Sequence, residues 1–122
     1  MREELISFTT AKLAKEKRFK IFGEKAYTID GEGCIAITSS FFNARKYPIY
    51  NVVTQTFLQK WLRETKNIMI FIDFHLSEHY FVARIVCKEN SGWESYKVSN
   101  SESKLYERAL EIGLQEALKL IP

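Results

Sequence analysis

Two imidazoles, His75 and His79, flanked by Asp73 and Glu78, are the side chains of this sequence best suited to hold a metal ion. A transition metal needs several nitrogen, sulfur or oxygen donors aimed at one point. Strand register decides whether these converge. If Ser77-Glu78 is a two-residue turn, His75 opposes Tyr80, Leu76 opposes His79, and the imidazoles leave opposite faces. With a three-residue loop, His75 opposes His79 and both reach one ion. A facing pair still supplies only half of the roughly four ligands such a site uses. The ordinary reading is two surface histidines at a hairpin tip. No metal or other cofactor is expected, and His75 and His79 stand as candidates only.

Nucleophilic chemistry has no constellation to carry it. The sequence lacks Gly-x-Ser-x-Gly, His-Glu-x-x-His, a Walker loop and a dinucleotide glycine fingerprint. Cys34 and Cys87 have apolar neighbours and read as half-buried structural thiols in a reducing compartment. A bridge between them requires their strands to be neighbours. Asp30-Gly31-Glu32 starts like a calcium loop but lacks the later ligands, so it reads as a turn. No catalytic residue is expected, and the chain reads as a non-enzyme.

The stretch Phe41-Phe42-Asn43-Ala44-Arg45-Lys46-Tyr47-Pro48-Ile49-Tyr50 has another character. Rings interleaved with Arg45 and Lys46 suit base stacking with phosphate contact. They equally suit a protein partner, because Tyr and Arg are enriched among interface hot spots. The plain alternative is that Phe41, Phe42 and Tyr50 pin a long loop onto the core. Lys12, Lys15, Lys17, Arg18 and Lys20 add charge in and after a first helix. At 100° per residue they spread around the helix instead of forming a stripe.

These groups must be positioned by local structure. Ser7 or Thr9 can cap a helix over about residues 10–17. Tyr27–Ile29 and Cys34–Thr38 read as strands joined by Asp30-Gly31-Glu32-Gly33, which is hairpin chemistry. Ser39–Val53 reads as a long loop. Thr54 is the N-cap of a second helix, with Val53 and Leu58 as a hydrophobic staple. Phe57, Leu58, Trp61, Leu62 and Thr65 share its apolar face. Asn67 ends it. Ile68, Ile70, Ile72 and Phe74 then alternate as the core face of a strand. Strands over about residues 80–87 and 93–98 follow. A last helix spans about residues 103–120, its stripe built on Tyr106, Leu110, Leu114, Ala117, Leu118 and Ile121 and widened by Leu105, Ala109 and Ile112. Gly113 lies inside it, which marks close approach to a neighbour. The expected fold is α+β: an antiparallel sheet covered on one face by helices, in the order α-β-β-α-β-β-β-α.

The 122 residues suffice for one domain, taken as residues 1–122. Hydrophobic residues make up 46% and charged residues 27%, as in an ordinary soluble protein. A net charge of +3 is too mild to indicate a polyanion partner. Met1-Arg2-Glu3-Glu4-Leu5-Ile6-Ser7 is not a secretory signal, and no stretch approaches the ~20 apolar residues of a membrane span. A cytoplasmic location without membrane contact is expected.

Three segments resemble a group of small uncharacterised proteins of Bacteroidales bacteria and their phages and prophages. They are Thr54-Gln55-Thr56 with Leu58-Gln59-Lys60-Trp61-Leu62-Arg63-Glu64, the block from Tyr106 to Lys119 containing Gly113-Leu114-Gln115-Glu116-Ala117-Leu118, and Thr10–Lys17. The resemblance implies a mobile-element origin and assigns no activity. The combined expectation is a protein-binding or adaptor module of phage origin, contacting its partner through Phe41–Tyr50 and Trp93. The alternative is a nucleic-acid binder using Arg45, Lys46, Tyr47 and the basic first helix. A homodimer fits either reading, since an exposed strand edge invites pairing.

Overall fold

Short polar side chains open the first two helices, and the rest of the fold is hung on them. The computed structural model describes residues 4–19, 25–29, 35–39, 49–89 and 92–122. The Ser7 side chain accepts the backbone N–H of Thr10 and starts α1, Phe8–Glu16. Because Ser7 rather than Thr9 is the cap, α1 begins slightly earlier than expected. Thr54 accepts the N–H of Phe57 and starts α2, Gln55–Lys66. Val53 and Leu58 are both buried, as a staple requires. Asn67 terminates α2 in the left-handed region at φ 55°, where asparagine is tolerated better than most residues.

Three strands fall between α1 and α2: β1 Lys25–Ile29, β2 Ile35–Ser39 and β3 Ile49–Val52. Both β2 and β3 pair antiparallel with β1, giving a sheet ordered β2-β1-β3. The turn chemistry of residues 30–33 lies outside the described residues. After α2 come β4 Ile68–His75, β5 Tyr80–Glu89 and β6 Gly92–Lys97, an antiparallel meander ordered β4-β5-β6. The last helix, α3, is Tyr106–Lys119. The expected α+β order is therefore present with one addition, β3, which lies in the segment read as loop. The strands form two small sheets packed against helices instead of one.

The core joins both ends of the described chain. Ile6, Ala14, Leu58, Leu62, Ile70, Ile85, Leu114 and Leu118 belong to one buried cluster. Gly113 shows why α3 can lie so close to β4 and β5. A Cβ there would sit 2.9 Å from Ala83 Cβ and 3.1 Å from Ile70 Cγ2. α1 bridges the two halves. Its Phe8 ring meets Tyr27 and Tyr50 edge-on at 5.8 and 5.4 Å, while Ser7 and Thr10 reach Glu111 of α3.

Two expected core stripes run out early. Phe74 continues the Ile68-Ile70-Ile72 face but is 45% exposed. Leu105 and Tyr106 are also exposed, because α3 starts only at Tyr106. Ser103 is drawn away from the helix: it exchanges backbone hydrogen bonds with Phe81 at 2.7 and 2.9 Å. On α2, Phe57 and Thr65 lie outside the buried face and Gln55 lies within it. Among the described residues, no helix is long and apolar enough to cross a membrane.

Candidate functional site

The β4–β5 connection resolves the histidine question. His75 pairs with Tyr80, and Leu76-Ser77-Glu78-His79 make the turn. His79 takes φ 56° and donates its N–H to the His75 carbonyl at 2.8 Å. The His75 ring stacks on Tyr80 at 4.7 Å, whereas the His79 ring tilts toward Phe74 at 6.4 Å. Phe74 and His75 are consecutive in a strand and point to opposite faces. The imidazoles therefore separate, as the His75–Tyr80 register requires. Among the described residues, no three His, Cys, Asp or Glu side chains gather as metal ligands. Cys87 is buried on β5, and Cys34 lies outside the described residues.

Phe41, Phe42, Arg45, Lys46 and Tyr47 also lie outside the described residues. Tyr50 is half-buried on β3, edge-on to Phe8, with Lys15 Nζ 4.8 Å above its ring. That placement suits pinning the sheet to α1. Trp93 is 53% exposed on β6.

Trp93 belongs to a surface that is open over most of its extent, Val82 being its one buried described residue. α3 covers one face of β4-β5-β6 through Gly113. Pleating sends Met69, Phe71, Asp73 and His75 to the other face. They are joined there by Val82, Arg84, Val86 and Lys88 of β5 and by Trp93, Ser95 and Lys97 of β6. No described helix packs on that side. Phe71 is 43% exposed, and the Arg84 guanidinium lies over its ring at 4.8 Å while bonding Asp73 at 3.0 Å. Met69 and Val86, paired and half-buried, lie between Phe71 and Trp93. The result is a diagonal apolar stripe with polar flanks. Its cations are largely matched. Arg84 pairs with Asp73, and Lys97 reaches Glu102 at 3.2 Å, a bond that raises the Lys97 ammonium above its ordinary pKa.

The described residues also line hollows. One of about 320 Å³ is lined by Lys17, Arg18, Lys66, Ile68 and the last three residues. α1, α2 and α3 all end beside it, and helix C-termini favour cations. Lys17 already donates to the Ile121 carbonyl at 2.6 Å. The cluster thus has a structural purpose. Another hollow, about 400 Å³, adjoins the stripe: it lies along β4, lined by Met69, Ile70, Phe71 and Ile72, beside Gln59 and Arg63 of α2 and Tyr106 of α3.

Sequence reasoning singled out Trp93 but missed Phe71, Arg84 and the hollow beside Arg63. A signal was present. Met69 and Phe71 are apolar on the strand face opposite Ile68, Ile70 and Ile72, so β4 is greasy on both sides. Only one side could meet the helices. Compared with protein-family models, curated proteins and solved structures, the chain matches none.

Proposed function

We propose that this chain is a non-enzymatic binding module that acts in the cytoplasm by contacting another protein through the helix-free face of β4-β5-β6. The carrying observation is the stripe from Phe71 through Met69 and Val86 to Trp93, with Arg84 over the Phe71 ring. Exposed apolar stripes rimmed by polar residues mark protein contact sites, and aromatic and arginine side chains dominate their energetics. Phosphate recognition would call for unmatched cations. Here Arg84 and Lys97 have carboxylate partners and Lys88 is the one cation of the face without a partner among the described residues, too little positive charge for a phosphate track, which favours protein over nucleic acid. The resemblance to the Bacteroidales group supports a phage or prophage origin.

The test is affinity capture from cells that make the protein, using the wild type and the variants Phe71→Glu and Trp93→Glu. One stoichiometric protein should be retained by the wild type, resist nuclease treatment, and be lost from both variants. Losing one hot-spot ring costs about 2 kcal/mol, or roughly thirtyfold in affinity. Recovery of nucleic acid alone, with steep salt sensitivity, would replace this reading with the nucleic-acid one. Recovery of a second copy of the chain would make the face a dimer interface.

A further inference from the structure

β4 is the outer strand of its sheet, and its free edge is largely open. On β5, Ala83 and Phe81 direct backbone groups toward Val98 and Ser103. The even-numbered residues of β5 therefore face β4 and bond Met69, Phe71, Asp73 and His75. It follows that Ile70, Ile72 and Phe74 turn their N–H and C=O groups outward. Gln59 confirms the direction, since its Nε2 donates to the Ile70 carbonyl at 2.8 Å. Among the described residues, nothing pairs with the outward groups of Ile72 and Phe74. Natural proteins usually block or charge such an edge. Among the described residues, Gln59 covers the Ile70 carbonyl, and the 400 Å³ hollow runs alongside.

We infer that this edge takes up an extended segment of a partner protein as a fourth strand of the β4-β5-β6 sheet. The segment has an apolar side chain at alternate positions and an Asp or Glu at the end nearest Arg63. Backbone hydrogen bonds to Ile72 and Phe74 hold it, as in other strand additions. Its inward side chains meet Ile72, Phe74 and Tyr106. Phe74 and Tyr106 are 45% and 43% exposed, and both pack against Phe81 without being covered. Among the described residues, Arg63 is the one charged side chain lining the hollow, and no carboxylate lies within 4.0 Å of it. Charge complementarity therefore selects an acidic residue. A second copy of β4 fits less well, because its acid, Asp73, is already bonded to Arg84. This inference rests on the protein-binding reading and names the kind of segment bound.

A phage-displayed library of random dodecapeptides, selected on the full chain, tests it. The enriched peptides should alternate apolar residues and carry an acid near one end. Binding should slow hydrogen exchange at the amides of Ile72 and Phe74, which have no acceptor among the described residues. Arg63→Glu, an exposed change that leaves the fold intact, should weaken these peptides about tenfold. Peptides that shift only the resonances of Trp93, Ser95 and Lys97, away from the hollow, would overturn the edge inference while leaving the protein-binding reading standing. Failure to enrich any peptide would overturn the edge inference, and the capture experiment would decide the broader reading separately.

Discussion

Glu111 reaches from α3 across to the cap of α1: its Oε2 accepts the Ser7 hydroxyl at 2.8 Å and the Ser7 backbone N–H at 3.0 Å. Thr10 donates to the same oxygen, and Gln55 Nε2 donates to Oε1 at 2.9 Å. One carboxylate thus ties together α1, α2 and α3. Removing it leaves several half-buried donors unmatched, each costing about 1–3 kcal/mol. Glu111→Ala should lower unfolding stability by roughly 3 kcal/mol, measured by urea titration. The pair Ser7→Ala and Glu111→Ala should be non-additive, because each change removes the same bond.

Gly113→Ala should destabilise the protein despite alanine's better helix propensity. The propensity gain is about 1 kcal/mol. Against it stand the Ala83 Cβ and the Ile70 Cγ2, both too close for an added methyl to fit without movement. Overpacking of this kind costs about 1–3 kcal/mol. Thermal unfolding should therefore show a lower midpoint for Gly113→Ala, and the double variant with Ala83→Gly should recover part of the loss.

Alkaline stability should depend on Tyr27. Burial first, and then the Glu111 carboxylate, hold its phenol above the ordinary value near 10. The unfolded chain therefore ionises this group before the folded chain does. The stability it confers is complete below the ordinary value and is lost as pH rises through the folded value. Absorbance titration should show a late-ionising tyrosine. Tyr27→Phe should abolish that step and flatten the alkaline decline. It should also cost about 1 kcal/mol at neutral pH through the lost bond to the Ile6 carbonyl.

Asn67 should tolerate glycine and resist valine. At φ 55° glycine relieves backbone strain, whereas a β-branched side chain is forced into an unfavourable region. Asn67→Gly should leave the unfolding midpoint within about 0.5 kcal/mol of wild type, and Asn67→Val should cost roughly 1–2 kcal/mol.

How much of this was legible in the sequence follows from the range of each signal. Thr54, Val53, Leu58 and Asn67 mark the ends of α2 through contacts a few residues long, so they can be read without a fold. Gly113 could be read because glycine inside a helix needs a spatial reason. β3 could not be read, because Tyr50 and Val52 gain strand character only by pairing with Tyr27 and Lys25. The division into two sheets is likewise a choice among distant partners. Period-two alternation placed Phe74 on the inner face, but nothing local says where the covering helices stop. The candidate surface was half-visible for the same reason. Trp93 announced itself by type, while Phe71 looked like one more apolar residue in a strand until α3 was seen to occupy the other side.

The ties between α1 and α3 also dictate an order of assembly. Ser7 and Glu111 are 104 positions apart, and so are Lys17 and Ile121. A helix of 9 residues is marginal by itself. During synthesis α1 can therefore meet Tyr27 and Tyr50 well before α3 is made, but the ties of Ser7 and Lys17 close only once α3 has followed. Lesions in α3 should be felt first at the far end of the molecule, as a loosened amino-terminal segment.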